Sequence, residues 1–148
     1  MKKLTTVLAA IVLFVSASIA SPNTDVSAKI KAGFKKDFAT VTNESWQQQQ
    51  DVYAASFKMN EREYSAAYDD DGNLLCITRY ITKDQLPMSV IRELNKKFSD
   101  YKISDKVIEV TSESTSYILT GENDKSIVKL TADGSGWVNM TEKMKKSK

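Results

Sequence analysis

Few side chains of this sequence could carry out chemistry. The chain has no histidine and one cysteine, so its reactive groups are carboxylates, hydroxyls and lysines. Without histidine, Ser-His-Asp and Cys-His nucleophiles and histidine-ligated zinc are excluded. The single cysteine, Cys76, cannot form an internal disulfide, and it lies in the apolar stretch Leu74–Ile77, where a thiol behaves as a small buried hydrophobic group. We therefore predict a protein that is not an enzyme and that holds no cofactor.

The densest acidic cluster is the segment Asp69–Asn73, which reads Asp-Asp-Asp-Gly-Asn. Oxygen ligands at alternate positions suit Ca²⁺, but an EF-hand loop requires glycine at its sixth position and glutamate at its twelfth. Counted from Asp69, Gly72 is fourth and the twelfth residue is Tyr80. Because Asp-Gly favours the positive φ angles of a two-residue hairpin, we predict a turn at Asp71-Gly72 and no metal site. Weak cation binding there is the alternative.

The first 20 residues have the pattern of a secretory signal peptide. Lys2 and Lys3 precede an apolar run, and small residues up to Ala20 supply a cleavage site. We predict cleavage after Ala20 and export to the periplasm or the medium, with no membrane attachment afterwards. Loss of the two lysines leaves 19 basic and 19 acidic residues, so the mature chain has no net charge and lacks the basic surface of a nucleic-acid-binding protein.

Two segments have the apolar spacing of an amphipathic helix. The first has Val26, Ile30, Phe34 and Phe38 four residues apart. The second opens at Leu86-Pro87, because proline is tolerated in a first turn, and its apolar stripe comprises Val90, Ile91, Leu94 and Phe98. Segments typical of β-strands follow each helix, and the Asp-Gly pairs at 71–72 and 133–134 mark a hairpin in each group.

The order of elements therefore occurs twice, at an offset of about 60 residues. We predict an α+β fold, a tandem repeat of one helix plus about four antiparallel strands, forming one curved antiparallel sheet with two helices packed on one face. The expected single domain spans 21–140, with halves at 26–81 and 86–140, and a frayed basic tail covers 141–148.

Two-residue hairpins would set the register of the strands. They place Tyr68 opposite Leu75, Leu130 opposite Trp137 and Val128 opposite Asn139, all facing the helices, with Trp137 packed beneath them. The opposite face then carries mixed small, hydroxyl and apolar side chains that nothing in the chain covers. These are Ser65, Ala67, Cys76, Thr78, Tyr80, Ile118, Thr120, Ile127, Lys129 and Thr131.

The sequence resembles the PepSY-like exported bacterial proteins, a family related in fold to the secreted beta-lactamase inhibitor proteins. The matching residues are Trp46, Tyr53-Ala54-Ala55-Ser56-Phe57, Tyr68-Asp69-Asp70-Asp71-Gly72-Asn73-Leu74-Leu75 and Leu86-Pro87. The resemblance covers roughly 26–140. It implies a tandem helix-plus-sheet fold, export and no catalysis, and its fold relatives suggest inhibition of a partner.

The leading hypothesis is an exported, non-enzymatic binding module that engages a protein or peptide through the uncovered sheet face. The fold relatives suggest an inhibitor as its specific form. Its candidate contact residues are Trp46, Tyr80, Thr120 and Lys129, and tryptophan is enriched at binding hot spots. The alternative is a small-ligand or cation-binding module that uses the acidic turn at 69–73. An enzyme that uses a Ser-Lys pair is the third hypothesis.

Overall fold

The computed structural model describes residues 25–147, so the predicted signal peptide lies outside the described residues. In this range the chain forms two α-helices, one 3-10 helix and nine strands of one antiparallel sheet, which confirms the α+β class. The elements are α1 (Ala28–Asp37), β1 (Ser45–Gln49), β2 (Val52–Met59), β3 (Arg62–Tyr68), β4 (Leu74–Thr82), the 3-10 helix (Lys83–Gln85), α2 (Met88–Lys97), β5 (Lys102–Ile103), β6 (Lys106–Thr111), β7 (Thr115–Glu122), β8 (Ser126–Asp133) and β9 (Val138–Lys145). Neither described helix is long and apolar enough to cross a membrane.

The chain divides into two compact units between Ile77 and Thr78, inside β4. The first unit holds α1, β1, β2, β3 and the start of β4. The second holds the end of β4, the 3-10 helix, α2 and the strands from β5 to β9. Each unit has one α-helix followed by antiparallel strands, while descent from a duplicated sequence stays a prediction.

The first unit is built around the apolar face of α1. The helix begins after Ser27, whose hydroxyl accepts a hydrogen bond from the Ile30 N–H at 3.4 Å. Its predicted apolar face is confirmed, because Val26, Ile30 and Phe34 are buried and Phe38 packs against them. The Phe34 ring makes edge contacts with Trp46 and Phe57 at centroid distances of 5.5 and 5.2 Å. An aromatic core therefore joins α1 to its sheet.

Two-residue turns connect the first three strands. Gln49 lies opposite Val52, and Met59 lies opposite Arg62. Asn60 and Glu61 between β2 and β3 have φ angles of 51° and 63°. Two consecutive left-handed residues are the requirement of a type I′ hairpin turn, whose twist matches that of the strands. A glutamate in this conformation is strained relative to glycine.

The second unit is built around α2, which begins after Pro87 as the sequence predicts. Val90 and Leu94 are buried on its inner side, and Ile91 packs at the margin of the same core. Glu93 and Lys97 pair one helical turn apart, outside the core. The rest of this core comes from the strands and the loops beside them: Ile81, Leu86, Phe98, Val107, Tyr117, Leu119, Val128, Leu130, Ala132 and Val138. The short strand β5, absent from the sequence prediction, pairs with the end of β7.

The two acidic hairpin turns are longer than predicted. The Asp69 N–H donates to the Asn73 carbonyl and the Gly72 N–H to the Asp69 carbonyl, each at 3.1 Å. Asp133, Gly136 and Trp137 form the same two bonds at the same lengths. Three residues therefore separate the paired ends, and the predicted two-residue turns are wrong. Each aspartate carboxylate accepts N–H groups from the residues two and four positions later, which stabilises the longer turn.

The longer second turn changes the register that the sequence predicted. Leu130 lies opposite Met140 rather than Trp137, and Val128 lies opposite Lys143 rather than Asn139. Trp137 is consequently the residue that closes the turn, and it is 57% exposed instead of packed beneath a helix. The predicted burial of Trp137 is therefore wrong.

Each helix rests directly on the hairpin turn of its own unit, α1 on the turn at 69–73 and α2 on the turn at 133–137. A Cβ added to Gly33 would lie 2.2 Å from the Gly72 carbonyl oxygen, so only glycine permits this approach. Lys29 forms an ion pair with Asp71 at the same contact. In the second unit, the Ser89 hydroxyl donates to the Gly134 carbonyl at 3.1 Å. The helix and the turn are thus joined by close backbone contact and an ion pair in the first unit, and by a side-chain hydrogen bond and close backbone contact in the second.

The predicted frayed tail at 141–148 is shorter than expected. β9 continues to Lys145, with Lys143 opposite Val128 and Lys145 opposite Ser126. The Lys146 N–H donates to the Lys125 carbonyl at 3.0 Å, and its ammonium pairs with Glu122 at 3.1 Å. Pairing with β8 therefore orders a segment whose lysines alone indicated a solvated tail.

Candidate functional site

The strands of the second unit present a face that points away from α2. Leu119, Val128 and Leu130 lie in the core beneath α2, so the residues that alternate with them point to the other side. We call this side the outer face; its strand residues include Tyr80, Lys106, Ile108, Ile118, Thr120, Ile127, Lys129, Thr131 and Glu142. On β7 and β8 the predicted separation of the two faces agrees with the structure, whereas on β9 Asn139, which was expected to face the helices, lies opposite Thr131 of the outer face.

Thr120 and Lys129 form the centre of the polar part of the outer face. They lie directly opposite each other on β7 and β8. Lys129 is also opposite Glu142 on β9, and its Nζ lies 2.8 Å from the Glu142 Oε2. Both side chains of this ion pair are more than a third exposed, so solvent screens it and it contributes little to stability. It presents one charge of each sign on the surface.

A β-bulge holds Lys129 in place. Lys129 faces Glu142, whereas its neighbour Leu130 faces Met140, so Thr141 is an extra residue on β9. The Thr141 hydroxyl donates to the Lys129 carbonyl at 3.2 Å. Bulges bend a strand and re-aim side chains, and they are frequent beside functional sites. No pattern in the sequence indicated this feature.

Tyr80 lies on the outer face but not beside Thr120. Its neighbour Ile81 is buried in the core, whereas Tyr80 is 39% exposed. The Lys106 Nζ lies 3.8 Å from the centre of the Tyr80 ring, a cation–π contact that holds the ring against β6. In the strand order of the sheet, β6 separates β4 from β7. Tyr80 and the Thr120–Lys129 pair are therefore two parts of one face.

Apolar side chains fill the space between these two parts. Ile108 on β6 lies directly opposite Ile118 on β7, and Ile118 is only 7% exposed. An aromatic ring, an isoleucine pair, hydroxyl groups and an ion pair thus follow each other across five neighbouring strands, β4, β6, β7, β8 and β9. Such a mixture can bind a protein surface through apolar and polar contacts together.

Trp46 does not belong to this face. It is 4% exposed and lies on β1 in the core of the first unit, against Phe34. Because its ring is packed beneath α1, Trp46 is not available to a partner, and its assignment as a contact residue is withdrawn. The candidate contact residues that remain are Tyr80, Thr120 and Lys129.

The acidic turn at 69–73 uses its carboxylates internally. The Asp69 carboxylate accepts hydrogen bonds from the backbone N–H groups of Asp71 and Asn73 and from the Asn73 amide. Burial alone would raise the pKa of Asp69, but these hydrogen bonds outweigh it and lower that pKa. Asp71 pairs with Lys29. Among the described residues, no group of acidic, cysteine or histidine side chains could hold a metal ion.

Cys76 is buried, as the sequence predicts. Burial raises the pKa of its thiol to about 11. A reactive cysteine requires the opposite, a thiolate at neutral pH in an accessible setting. Cys76 therefore has the character of a packing residue rather than of a nucleophile.

A cleft of about 360 Å³ lies beside α2 in the second unit and was not predicted from the sequence. Its apolar surface comes from Ile91, Leu94 and Ile103. At its rim, the Lys83 Nζ lies 3.7 Å from the Asp105 Oδ1, so these two charges are directed at each other. Because the lining combines the 3-10 helix, α2 and β5, no single motif could have indicated it.

Comparison with known proteins identifies the fold. No protein-family model matches the chain, and no curated protein matches it. A DUF2874 family protein from Bacteroides uniformis has a TM-score of 0.70 and 16% identity over 82% of this chain and 90% of its own. A protein from Bacteroides eggerthii that is provisionally described as periplasmic has a TM-score of 0.68 and 16% identity over 82% of this chain and 89% of its own. A BLIP-like protein from Bacteroides fragilis has a TM-score of 0.66 and 21% identity over 82% and 86%.

The chain has a BLIP-like fold, that is, a fold like that of the beta-lactamase inhibitor proteins. The expected relation to the beta-lactamase-inhibitor fold is thereby confirmed, while the PepSY-like assignment stays a prediction. At these identities the likeness shows the arrangement of helices and strands, and function must be argued from the outer face itself.

Proposed function

We propose that this protein is an exported, non-enzymatic binding module that engages a protein or peptide through the outer face of its second unit. The observation that carries the proposal is the composition of that face, where an exposed tyrosine, an isoleucine pair and the Lys129–Glu142 ion pair lie on neighbouring strands. Aromatic anchors with surrounding polar groups are typical of protein interfaces.

Two further observations support this role. The Thr141 hydroxyl fixes the backbone of Lys129, and the cation–π contact of Lys106 holds the Tyr80 ring in a defined position. Side chains that are already ordered lose less conformational entropy when a partner binds. The fold likeness to a BLIP-like protein and to a provisionally periplasmic protein fits an exported binding module, with inhibition of the partner as its specific form.

The chemistry of the chain favours binding over catalysis. The sequence contains no histidine, and its one thiol is buried. A nucleophile with a neighbouring base is the usual minimum for hydrolytic or transfer chemistry. The outer face offers hydroxyls and two lysines, of which Lys129 is paired with Glu142 and Lys106 contacts the Tyr80 ring.

Site-specific photo-crosslinking in the exporting cell tests the proposal. A photoreactive phenylalanine analogue at Tyr80 or Thr120 should crosslink to one partner. The crosslink from Thr120 should be lost when Tyr80→Ala and Lys129→Ala are added. The matched control places the same analogue at Arg92 or Lys96, which are exposed on α2. A partner captured from α2 and not from Tyr80 or Thr120 would place the binding surface elsewhere.

The alternative function, cation or small-ligand binding at the acidic turn, predicts a different result. A ligand that binds only the folded state raises the melting temperature. Because Asp69 and Asp71 already hold N–H groups and Lys29, we expect no change in melting temperature on calcium titration. A rise that disappears in Asp71→Asn would favour the alternative.

A further inference from the structure

The two edge strands of the sheet differ in how well they are protected against pairing. β9 carries Lys143, Lys145 and the bulge at Thr141, which are devices that block edge-to-edge association. β1 pairs with β2 on one side, and no other described strand pairs with its second side. An edge strand leaves alternate N–H and C=O groups directed outward and available to a further strand.

β1 lacks the charges and the bulge that protect β9, and its only protection is its short length. Its five residues, Ser45–Gln49, contain no charge and no proline, and a fourth glutamine follows at Gln50. Its pairing with β2 runs through five consecutive residue pairs without a register shift. Trp46 anchors the strand from beneath, because its ring is buried in the aromatic core. β1 is thus a regular, uncharged edge that is held firmly in an extended conformation.

The side chains of β1 match a copy of themselves. A glutamine amide carries both donors and acceptors, so Gln47 and Gln49 can hydrogen-bond across two identical strands. The Gln48 amide instead donates to the Gln50 carbonyl and the Tyr53 hydroxyl of its own chain. An uncharged strand also offers no charge with which to select a foreign strand. Antiparallel pairing of two identical edges about a two-fold axis matches glutamine with glutamine and requires no complementary charge. Such a two-fold contact joins two chains and does not extend into a filament.

We propose that β1 pairs antiparallel with β1 of a second copy of this chain, forming a weak two-fold dimer through the sheet edges. With Gln47 at the two-fold axis, Gln47 faces Gln47, Trp46 faces Gln48 and Ser45 faces Gln49. Because β1 contains no acidic or basic residue, no like charges face each other in this pairing. Five-residue strands bury little surface, so the dimer is a transient one rather than an obligate one.

Sedimentation equilibrium of the purified protein tests this pairing, at concentrations from about 10 µM to about 1 mM. We expect concentration-dependent dimerisation of the wild type. Like charges directly opposite each other destabilise strand pairing. Gln47→Lys and Gln47→Glu should therefore each dimerise about fivefold more weakly when alone. An equimolar mixture of the two variants should recover or exceed the association of the wild type, because Lys then faces Glu.

The control variant is Asn139→Lys, at an exposed position on the opposite edge strand, β9. It should leave dimerisation unchanged, and circular dichroism should show that all variants are folded. A wild type that stays monomeric at the highest concentration would overturn the proposal. So would dimerisation that Gln47→Lys does not weaken, or a mixture that associates no better than its components. The outcome is independent of partner capture from Tyr80, which lies in the other unit.

Discussion

Replacement of Gly33 by alanine should destabilise the protein, although the same change stabilises most helices. Gly33 lies in the interior of α1, where alanine is ordinarily favoured over glycine by about 1 kcal/mol. Here the new methyl group would lie 2.2 Å from the Gly72 carbonyl oxygen, and real Cβ contacts are essentially never shorter than 3.0 Å. The helix and the turn must therefore separate by about 1 Å.

Neither side of this contact can yield easily. The Gly72 carbonyl belongs to a turn that is held by hydrogen bonds to Asp69. α1 buries Ile30 and Phe34 against the sheet, and a shift of the helix would loosen both. Overpacking of this kind costs about 1–3 kcal/mol. Taking the upper part of that range, because the neighbour is backbone, and subtracting the helix-propensity gain leaves a net loss of about 1–2 kcal/mol.

Urea denaturation followed by far-ultraviolet circular dichroism measures this loss as a lower midpoint at constant slope. The matched control is Ala32→Gly, one residue earlier on the exposed side of α1. It should cost about 0.5–1 kcal/mol through helix propensity alone. If Gly33→Ala raises the midpoint, as it would on an isolated helix, then α1 does not rest on the turn and the argument is refuted.

Three further predictions concern other positions. Glu61→Gly should stabilise the protein by about 1 kcal/mol, because it relieves a left-handed residue; a lower melting temperature would contradict the proposed turn strain. Cys76 should react with a thiol reagent only after urea unfolding, since the thiol is buried and its pKa is raised to about 11; rapid labelling of the native protein would contradict its burial. The depressed pKa of Asp69 means that its stabilising contribution is present above the unfolded pKa of about 4 and is lost as the pH falls through the folded value. Asp69→Asn should therefore lower the melting temperature at pH 7 and flatten its fall below pH 4, and a variant with the pH dependence of the wild type would refute this role.

The helical faces could be predicted because each depends on one local pattern. Apolar residues three and four apart in α1 and α2 define a buried stripe whatever the rest of the chain does. The presence of strands after each helix could be predicted for the same reason, since alternation is local. The face that carries Thr120 and Lys129 also followed from alternation, so two candidate residues were correctly placed on one side of the sheet.

Register could not be predicted, because it depends on the length of each turn. The Asp-Gly dipeptides indicated two-residue loops, but the signal that matters is an aspartate three residues before a glycine. That spacing occurs at Asp69–Gly72 and again at Asp133–Gly136, where the carboxylate stabilises a three-residue loop. Because the second loop has one residue more than predicted, Trp137 closes the turn and is exposed to solvent instead of packed beneath a helix. A strand such as β1 was equally hard to see, because glutamines have no strand preference and only pairing with β2 makes it extended.

The different environments of the two tryptophans give the protein two built-in fluorescent reporters. Trp46 reports on the aromatic core of the first unit, and Trp137 reports on the solvent-facing hairpin of the second. Emission from the buried ring should be blue-shifted and shielded from acrylamide, whereas emission from the exposed ring should be red-shifted and readily quenched. Replacing either one by phenylalanine would leave a single tryptophan, whose emission can be excited selectively at wavelengths that tyrosine does not absorb. The unfolding of each unit could then be followed separately, without any added label.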